Sequence, residues 1–314
     1  MLKGIQNCLH HTPRRQFSAI LWNYKDVASI DEMMAKLKES DRAALSRIIT
    51  MVESTTERDR LKSRRLLDSI MKEAALSSRE PSFRIGLTGP PGAGKSTFID
   101  KFGTMLLEKK LEKSIFNNDY NLAVLAIDPS SRKARGSLLG DKTRMINLAY
   151  KKKAFIRPSS SGSHLGGVAR STNENVLLCE AANFNVVIVE TIGIKKGIIE
   201  CVDMVVVNKA DGDLMPAARR VAAEYMSAIK YLRSNHKDWQ PEVCMVSSVT
   251  GEGLDYFWET ANWMSEYIKE GLIKSFVNNS KVNKAIEIIK EDVKMGLITP
   301  GSAADKLMKI YLEN

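Results

Sequence analysis

Cysteine and histidine are scarce in this 314-residue chain, with four of each, and Cys8, Cys179, Cys201 and Cys244 are widely spaced with no C-x-x-C pair. Such spacing supplies neither a disulfide framework nor a zinc site, and it reads as free thiols in a reducing compartment. Long apolar runs are missing too. The greasiest stretches, Val186 to Val189 and Val205 to Val207, are strand-sized and far short of the eighteen or so apolar residues of a membrane helix, so no membrane span is expected. Aromatics are only 7%, yet 44% hydrophobic and 27% charged residues make an ordinary globular composition and exclude a collagenous, mucin-like or wholly disordered chain. Acid is absent from the first 25 residues, which hold Lys3, Arg14, Arg15 and Lys25 and so four of the ten surplus positive charges. The surplus elsewhere is modest, and no nucleic-acid partner is expected. An acid-free basic segment with scattered Leu, Ile, Phe and Trp reads as a mitochondrial transit peptide over residues 1–25, and places the protein in the matrix.

From residue 26 to 80 the apolar residues recur at helical spacing: Ile30, Met33, Met34 and Leu37, then Leu45, Ile48, Ile49 and Val52, then Leu66, Leu67, Ile70 and Met71. Ser40-Asp41 and Ser54-Thr55-Thr56 supply caps that restart the helices. Short β-rich runs then alternate with helical ones. The strands are expected at Phe83 to Thr88, Leu122 to Ile127, Ala154 to Arg157, Val186 to Thr191, Met204 to Asn208 and Glu242 to Ser247, with helices at Ser96 to Lys113, Ser171 to Ala182 and Pro216 to Arg233. Strands apolar throughout, separated by helices, imply an α/β fold with a mainly parallel sheet covered on both faces. This α/β domain spans residues 81–265. Residues 266–314 form a C-terminal helical arm with a turn at Thr299-Pro300-Gly301 and a last helix capped by Ser302.

The chemistry is concentrated in Gly89-Pro90-Pro91-Gly92-Ala93-Gly94-Lys95-Ser96-Thr97, which satisfies G-x-x-x-x-G-K-[ST] between a strand and a helix. The glycines let the backbone wrap a phosphate, and the N–H groups converge on it with the helix N-terminus. Lys95 reaches the β and γ oxygens and Ser96 ligates Mg²⁺. A phosphate loop alone does not choose the base. Asn208-Lys209-Ala210-Asp211, at the C-terminal end of a strand, is the N-K-x-D arrangement of GTPases. The Asp211 carboxylate can accept from guanine N1–H and the exocyclic amine together, whereas adenine would leave it unpaired. One strand later, Ser247, Ser248 and Val249 open the polar turn expected to finish the base pocket by backbone N–H contact.

Three acids lie between these anchors at strand ends or in loops: Asp128, Asp141 and Glu190. Mg²⁺ takes oxygen ligands beside the β and γ phosphates, and the C-terminal edge of a parallel sheet is where such acids serve it. Lys95, Asp128 and Glu190 are the candidate catalytic residues. Ser130 to Met145, rich in Ser, Gly, Arg and Lys, reads as a switch ordered by the γ-phosphate, and Ser159 to Gly167 as a second pliant loop in which His164 is solvated.

GPPGAGKSTFID, LAVLAIDPSS, GSLLGDKTRM, LGGVARSTNENVLLCEAA, VVIVETIG, VNKADGDL and LITPGSAADKLMK together resemble the family of the methylmalonic aciduria type A protein and the bacterial methylmalonyl-CoA mutase-associated GTPases, over most of residues 26 to 314. The resemblance implies a P-loop GTPase that assists loading and protection of adenosylcobalamin on methylmalonyl-CoA mutase, as a homodimer joined through helical extensions. It implies GTP or GDP held by Gly89 to Thr97, Mg²⁺ organised by Asp128, Asp141 and Glu190, and guanine held by Asn208, Lys209, Asp211 and Ser247 to Val249. Adenosylcobalamin is met only through the partner enzyme.

Two departures from the family pattern stand out. Glu190-Thr191-Ile192-Gly193-Ile194 runs straight into Lys195-Lys196-Gly197-Ile198-Ile199-Glu200, where the family inserts a switch, a further buried strand and a second switch loop. A true deletion, a splice form and a gene-model error each leave this joint, and a sheet with one strand fewer is the expected result. The C-terminal arm is also shortened between Gly271 and Lys284, which bears on the dimer interface. A small-molecule kinase is the alternative use of the same phosphate loop, though no segment suggests an acceptor pocket. A nickel-inserting GTPase is disfavoured by the shortage of His and Cys.

Overall fold

Asp41 shows how local chemistry starts the fold. Its carboxylate accepts from the N–H groups of Ala43 (2.8 Å) and Ala44 (3.0 Å), closing the first turn of helix α2 (Arg42–Glu53), which follows helix α1 (29–38). Thr56 does the same for α3 (Glu57–Leu76), its Oγ1 accepting from the N–H of Asp59 at 3.3 Å. The computed structural model describes residues 29–76, 82–111, 119–128, 144–160, 170–191, 202–230 and 240–312. Residues 1–25, Asp141 with most of Ser130 to Met145, and His164 with most of Ser159 to Gly167 therefore lie outside the described residues.

Strand β1 (Phe83–Leu87) leads into the phosphate loop and helix α4 (Lys95–Leu107). There follow β2 (Leu122–Asp128), the single turn α5 (Ile146–Ala149), β3 (Ala154–Ser160), α6 (Arg170–Ala181), β4 (Val186–Thr191) and β5 (Met204–Val207). Helix α7 (Met215–Ile229) and β6 (Glu242–Met245) complete the α/β part. Helix α4 ends at Leu107 rather than at Lys113, because Lys109 turns left-handed (φ 58) and the N–H of Lys110 bonds back to Met105 O at 3.0 Å.

Four strands form one parallel sheet in the order β1-β4-β2-β3, and β5 pairs in parallel with β6 as a separate two-stranded sheet. Among the described residues, the expected single sheet with one strand fewer is thus replaced by a four-stranded and a two-stranded sheet. Among the described residues β5 makes its ladder with β6, while the residue after it, Asn208, is hydrogen-bonded to the phosphate loop.

The two faces of the larger sheet are covered differently. Ala123 and Leu125 of β2, Phe155 and Val187 join Leu45, Ile49, Leu66 and Ile70 of the first helices and Val176 and Cys179 of α6 in one buried cluster. The alternate residues of β2 face α4, where a Cβ on Gly103 would lie 2.6 Å from a Leu122 methyl carbon, so helix and strand touch at closest range. Each such fully buried Leu, Ile or Phe contributes about 1.5–3 kcal/mol.

Two polar anchors are buried in this packing. The Asp100 carboxylate of α4 accepts from the N–H of Leu148 and the amide of Asn147, both at 2.8 Å, and so fixes α5. The Arg157 guanidinium, 9% exposed on β3, donates to Ser46 O (2.9 Å), Ser46 Oγ (2.7 Å), Thr50 Oγ1 (3.0 Å) and Glu53 Oε2 (3.3 Å), and Asn175 donates to the other Glu53 oxygen at 3.0 Å. These bonds tie α2 to β3 and α6.

The chain divides into two compact units between Leu254 and Asp255. Helix α8 (Leu254–Val277) runs into the second, which continues with α9 (Ser280–Lys294) and α10 (Pro300–Leu312). The last helix begins at Pro300 and takes its cap from Thr299, whose Oγ1 accepts from the N–H of Ser302 at 3.2 Å. Ser302, the expected cap, is inside the helix because proline favours the first helical position. Among the described residues no helix is long and apolar enough to cross a membrane.

Candidate nucleotide site

The phosphate loop is shaped by its glycines. Gly92 (φ 79) and Gly94 (φ 84) lie in the left-handed region, and a Cβ on Gly94 would come within 2.6 Å of the Asn208 amide, so no side chain is tolerated there. Gly94 is the N-cap of α4, and the free N–H groups of its first turn, with the loop amides, form a concave donor surface for an anion. Lys95 Nζ donates to the carbonyls of Gly89 (2.8 Å) and Pro90 (3.2 Å), which lays the ammonium across the loop. Pro90, Pro91 and Thr97 are exposed, Gly89 is buried, and Ala93, Lys95 and Ser96 are half-buried.

Glu190 approaches this loop because β4 pairs with β1 in the register Leu87↔Glu190, so the acid stands beside the residue that leads into the loop. It is 7% exposed, and Ser96 Oγ donates to its Oε1 at 3.3 Å. A hydroxyl and a carboxylate at the mouth of a phosphate-binding loop are hard oxygen donors suited to Mg²⁺. Asp128 ends β2, the strand on the other side of β4, where Ala126 is level with Glu190. The backbone thus brings Asp128 to the same sheet edge; Asp141 falls outside the described residues.

The base-side motif is fastened to the phosphate loop. Asn208 Nδ2 donates to Ala93 O (3.0 Å) and Gly94 O (3.3 Å), while its Oδ1 accepts from the N–H groups of Lys209 (2.8 Å) and Ser248 (3.2 Å) and from Ser248 Oγ (2.7 Å). One amide therefore joins the phosphate loop, the end of β5 and the turn after β6. Lys209 takes φ 63, a conformation rare for a residue with a side chain and characteristic of functional turns. Ser247 Oγ donates to Asp211 Oδ2 and accepts from the N–H groups of Val249 (3.2 Å) and Thr250 (3.0 Å).

Two features of this site go beyond the roles expected from the sequence. Ser247 and Ser248 hold the side chains of Asp211 and Asn208, beyond the backbone role expected of the turn, and Val249 is 73% exposed. Asn208 is itself a clamp between the phosphate loop and the turn after β6. The signal for the serines is their place one strand after the N-K-x-D turn; the contact with Ala93, 115 residues away, has no local signature.

A phosphate loop clamped to an N-K-x-D turn at the C-terminal edge of parallel strands is the arrangement of a P-loop GTPase. Comparison with known proteins gives the branch. The family model "Methylmalonyl Co-A mutase-associated GTPase MeaB" matches residues 45–194 and 193–300. The chain belongs to this family. It is 36% identical to the methylmalonic aciduria type A homolog, mitochondrial, of Mus musculus, over 91% of this chain and 80% of the mouse protein. It is 38% identical to GTPase ArgK of Escherichia coli, over 74% of each chain. The crystal structure of LAO/AO transport system kinase superposes with a TM-score of 0.58 at 29% identity, covering 91% of this chain and 98% of that one.

Proposed function

We propose that this chain is a GTP-binding chaperone of methylmalonyl-CoA mutase, gating the loading and protection of adenosylcobalamin on that enzyme by its nucleotide state. The observation that carries the nucleotide half is the Asn208 clamp, which presents Asp211 and the phosphate loop as one site. The mutase half rests on family membership.

In this reading Gly89 to Thr97 bind the triphosphate, with Lys95 drawn from the loop carbonyls to the β and γ oxygens. Asn208, Lys209, Asp211 and Ser247 to Val249 hold guanine. Ser96, Glu190, Asp128 and Asp141 would hold Mg²⁺, which when bound neutralises charge on the phosphates. Glu190 orients the Ser96 hydroxyl, and its burial keeps the carboxylate aimed at the site. The mouse and worm relatives are named as mitochondrial, and with the acid-free residues 1–25 this supports a place in the matrix. A homodimer is the proposed assembly.

Hydrolysis needs an ordered water and stabilised transition-state charge in addition to binding. The residues that supply these in related enzymes have no counterpart after Gly193, so slow intrinsic turnover with little acceleration by the mutase is the expected outcome. Single-turnover GTP hydrolysis with and without the mutase measures it, and robust stimulation would contradict it. Co-purification with methylmalonyl-CoA mutase tests the partner. A kinase reading has one observation in its favour, that the superposed crystal structure is of a protein named a kinase. Release of labelled γ-phosphate as inorganic phosphate supports hydrolysis, and its transfer to a metabolite supports a kinase.

A further inference from the structure

The single turn α5 sets two apolar side chains outside the core. Asn147 and Leu148 are drawn inward by the Asp100 carboxylate, each at 2.8 Å. Ile146 and Tyr150, four residues apart and so on one face of the turn, are left outward, 55% and 84% exposed. Tyr150 is followed directly by Lys151, Lys152 and Lys153, the last of which precedes β3. The end of α4 brings Lys109 and Lys110 to the same place, because Glu108 pairs with both Lys110 (2.6 Å) and Lys151. Asp119, just before β2, pairs with Lys153 and lies within the field of Lys109.

Five lysines thus meet two surface acids, and Lys109 and Lys152 have no ion pair among the described residues. Hydrogen bonds from Lys110 and Lys151 hold the Glu108 carboxyl down at about 2, so the balance of charge on this face is fixed at any ordinary pH. The face stands where α4 ends and where β2 and β3 begin. The phosphate loop stands where β1 ends and α4 begins, so whatever covers the lysines leaves that loop open.

We propose that this face docks peripherally on an anionic phospholipid bilayer, its lysines against the headgroup phosphates and Tyr150 and Ile146 entering the interface. Clustered lysines are attracted to an anionic leaflet over about a Debye length. A tyrosine ring rests at headgroup depth with its hydroxyl in water, and lysine stems lie along apolar surface while their ammoniums stay wet. A nucleic acid offers Ile146 no apolar layer. Lysine ammoniums are point charges that fit a laterally fluid array of headgroups, whereas the fixed carboxylates of a protein face favour the planar fork of arginine. The proposal is independent of the nucleotide and of the mutase.

The full chain is sedimented with vesicles of phosphatidylcholine alone and of equal parts phosphatidylcholine and phosphatidylglycerol, at low and at high salt. Binding to the anionic vesicles alone, weakened by salt, is expected. The basic residues 1–25 would be drawn to the same vesicles, so variants in the full chain isolate the contribution of this face. Lys109→Asn with Lys152→Gln is expected to lower partitioning by about tenfold or more; asparagine is used because Lys109 has a left-handed backbone (φ 58). Tyr150→Ala is expected to lower it by about threefold while leaving the salt dependence unchanged. Lysine acetylation read by mass spectrometry is expected to slow at Lys109 and Lys152 when anionic vesicles are added, and not at the exposed Lys230. Unchanged partitioning of both variants, with Lys109 and Lys152 acetylated as fast as in the free chain, would overturn the proposal and leave residues 1–25 as the lipid contact. No binding to anionic vesicles, or equal binding to both kinds, would overturn it as well.

Discussion

β2 is closed on both sides, by β3 and β4, and Leu122 to Ile127 are all buried, whereas β5 has one strand partner among the described residues and of its four residues Val207 alone is buried. The proposed nucleotide site spans both environments. Its phosphate side stands on a packed sheet with helices on both faces, and its base side hangs on a two-stranded sheet clamped by one asparagine. Where a site bridges a stiff half and a thin half, ligand binding stabilises the thin half most, because that is where the opening free energy is smallest.

The largest expected effect lies in the packed half. Arg157→Ala removes the guanidinium that donates to Ser46, Thr50 and the half-buried Glu53, a loss of about 3 kcal/mol, read as a lower urea midpoint. The double change Arg157→Met with Glu53→Met recovers much of it, because the carboxylate that lost its cation goes as well. If the single variant lost no stability, the packed half would not depend on this network.

Next is Lys95→Ala, which removes a charge-assisted contact to the triphosphate and lowers GTP affinity by about a hundredfold. Circular dichroism is expected to stay unchanged, since the ammonium lies over the loop and not in the core. Asp211→Asn follows, eroding the preference for GTP over ATP by roughly tenfold or more, from the cost of about 1–3 kcal/mol for a mispaired polar group. Titration calorimetry with both nucleotides reads each variant.

The smallest effect sharpens the contrast itself. Burial lifts the Cys244 thiol of β6 to about 12 and pushes that of Cys179 in α6 up further, so both are protonated and inert at neutral pH. A thiol whose folded value is raised contributes stability that is complete below its unfolded value of about 8.5. For Cys244 that contribution falls away as pH rises from there towards about 12. Both are reached by a thiol reagent only through opening, and Cys244, in the thin half, is expected to label first and to be slowed more by GTP. Peptide mapping separates them; equal rates would erase the proposed difference between the halves.

Much of this was legible beforehand because its determinants are local. The alternating strands and helices, the phosphate loop and the N-K-x-D turn follow from periodicity, glycine spacing and strand ends. What escaped depends on residues far apart in the chain: Arg157 with Ser46, Asp100 with Leu148, Asn208 with Ala93. A lone Arg in a strand and a lone Asp in a helix look like surface charges until the fold brings their partners. The division into two sheets is hidden for a different reason: periodicity marks which segments are strands, to within two or three residues at their ends, and carries no signal for which strands pair.

Calorimetric titration of the unaltered chain with GTP and with ATP tests the central claim, that the phosphate loop and the clamped Asp211 form one guanine-nucleotide site. GTP binding tighter than ATP by well over tenfold is the predicted result. Equal affinities, or no binding of either, would contradict it.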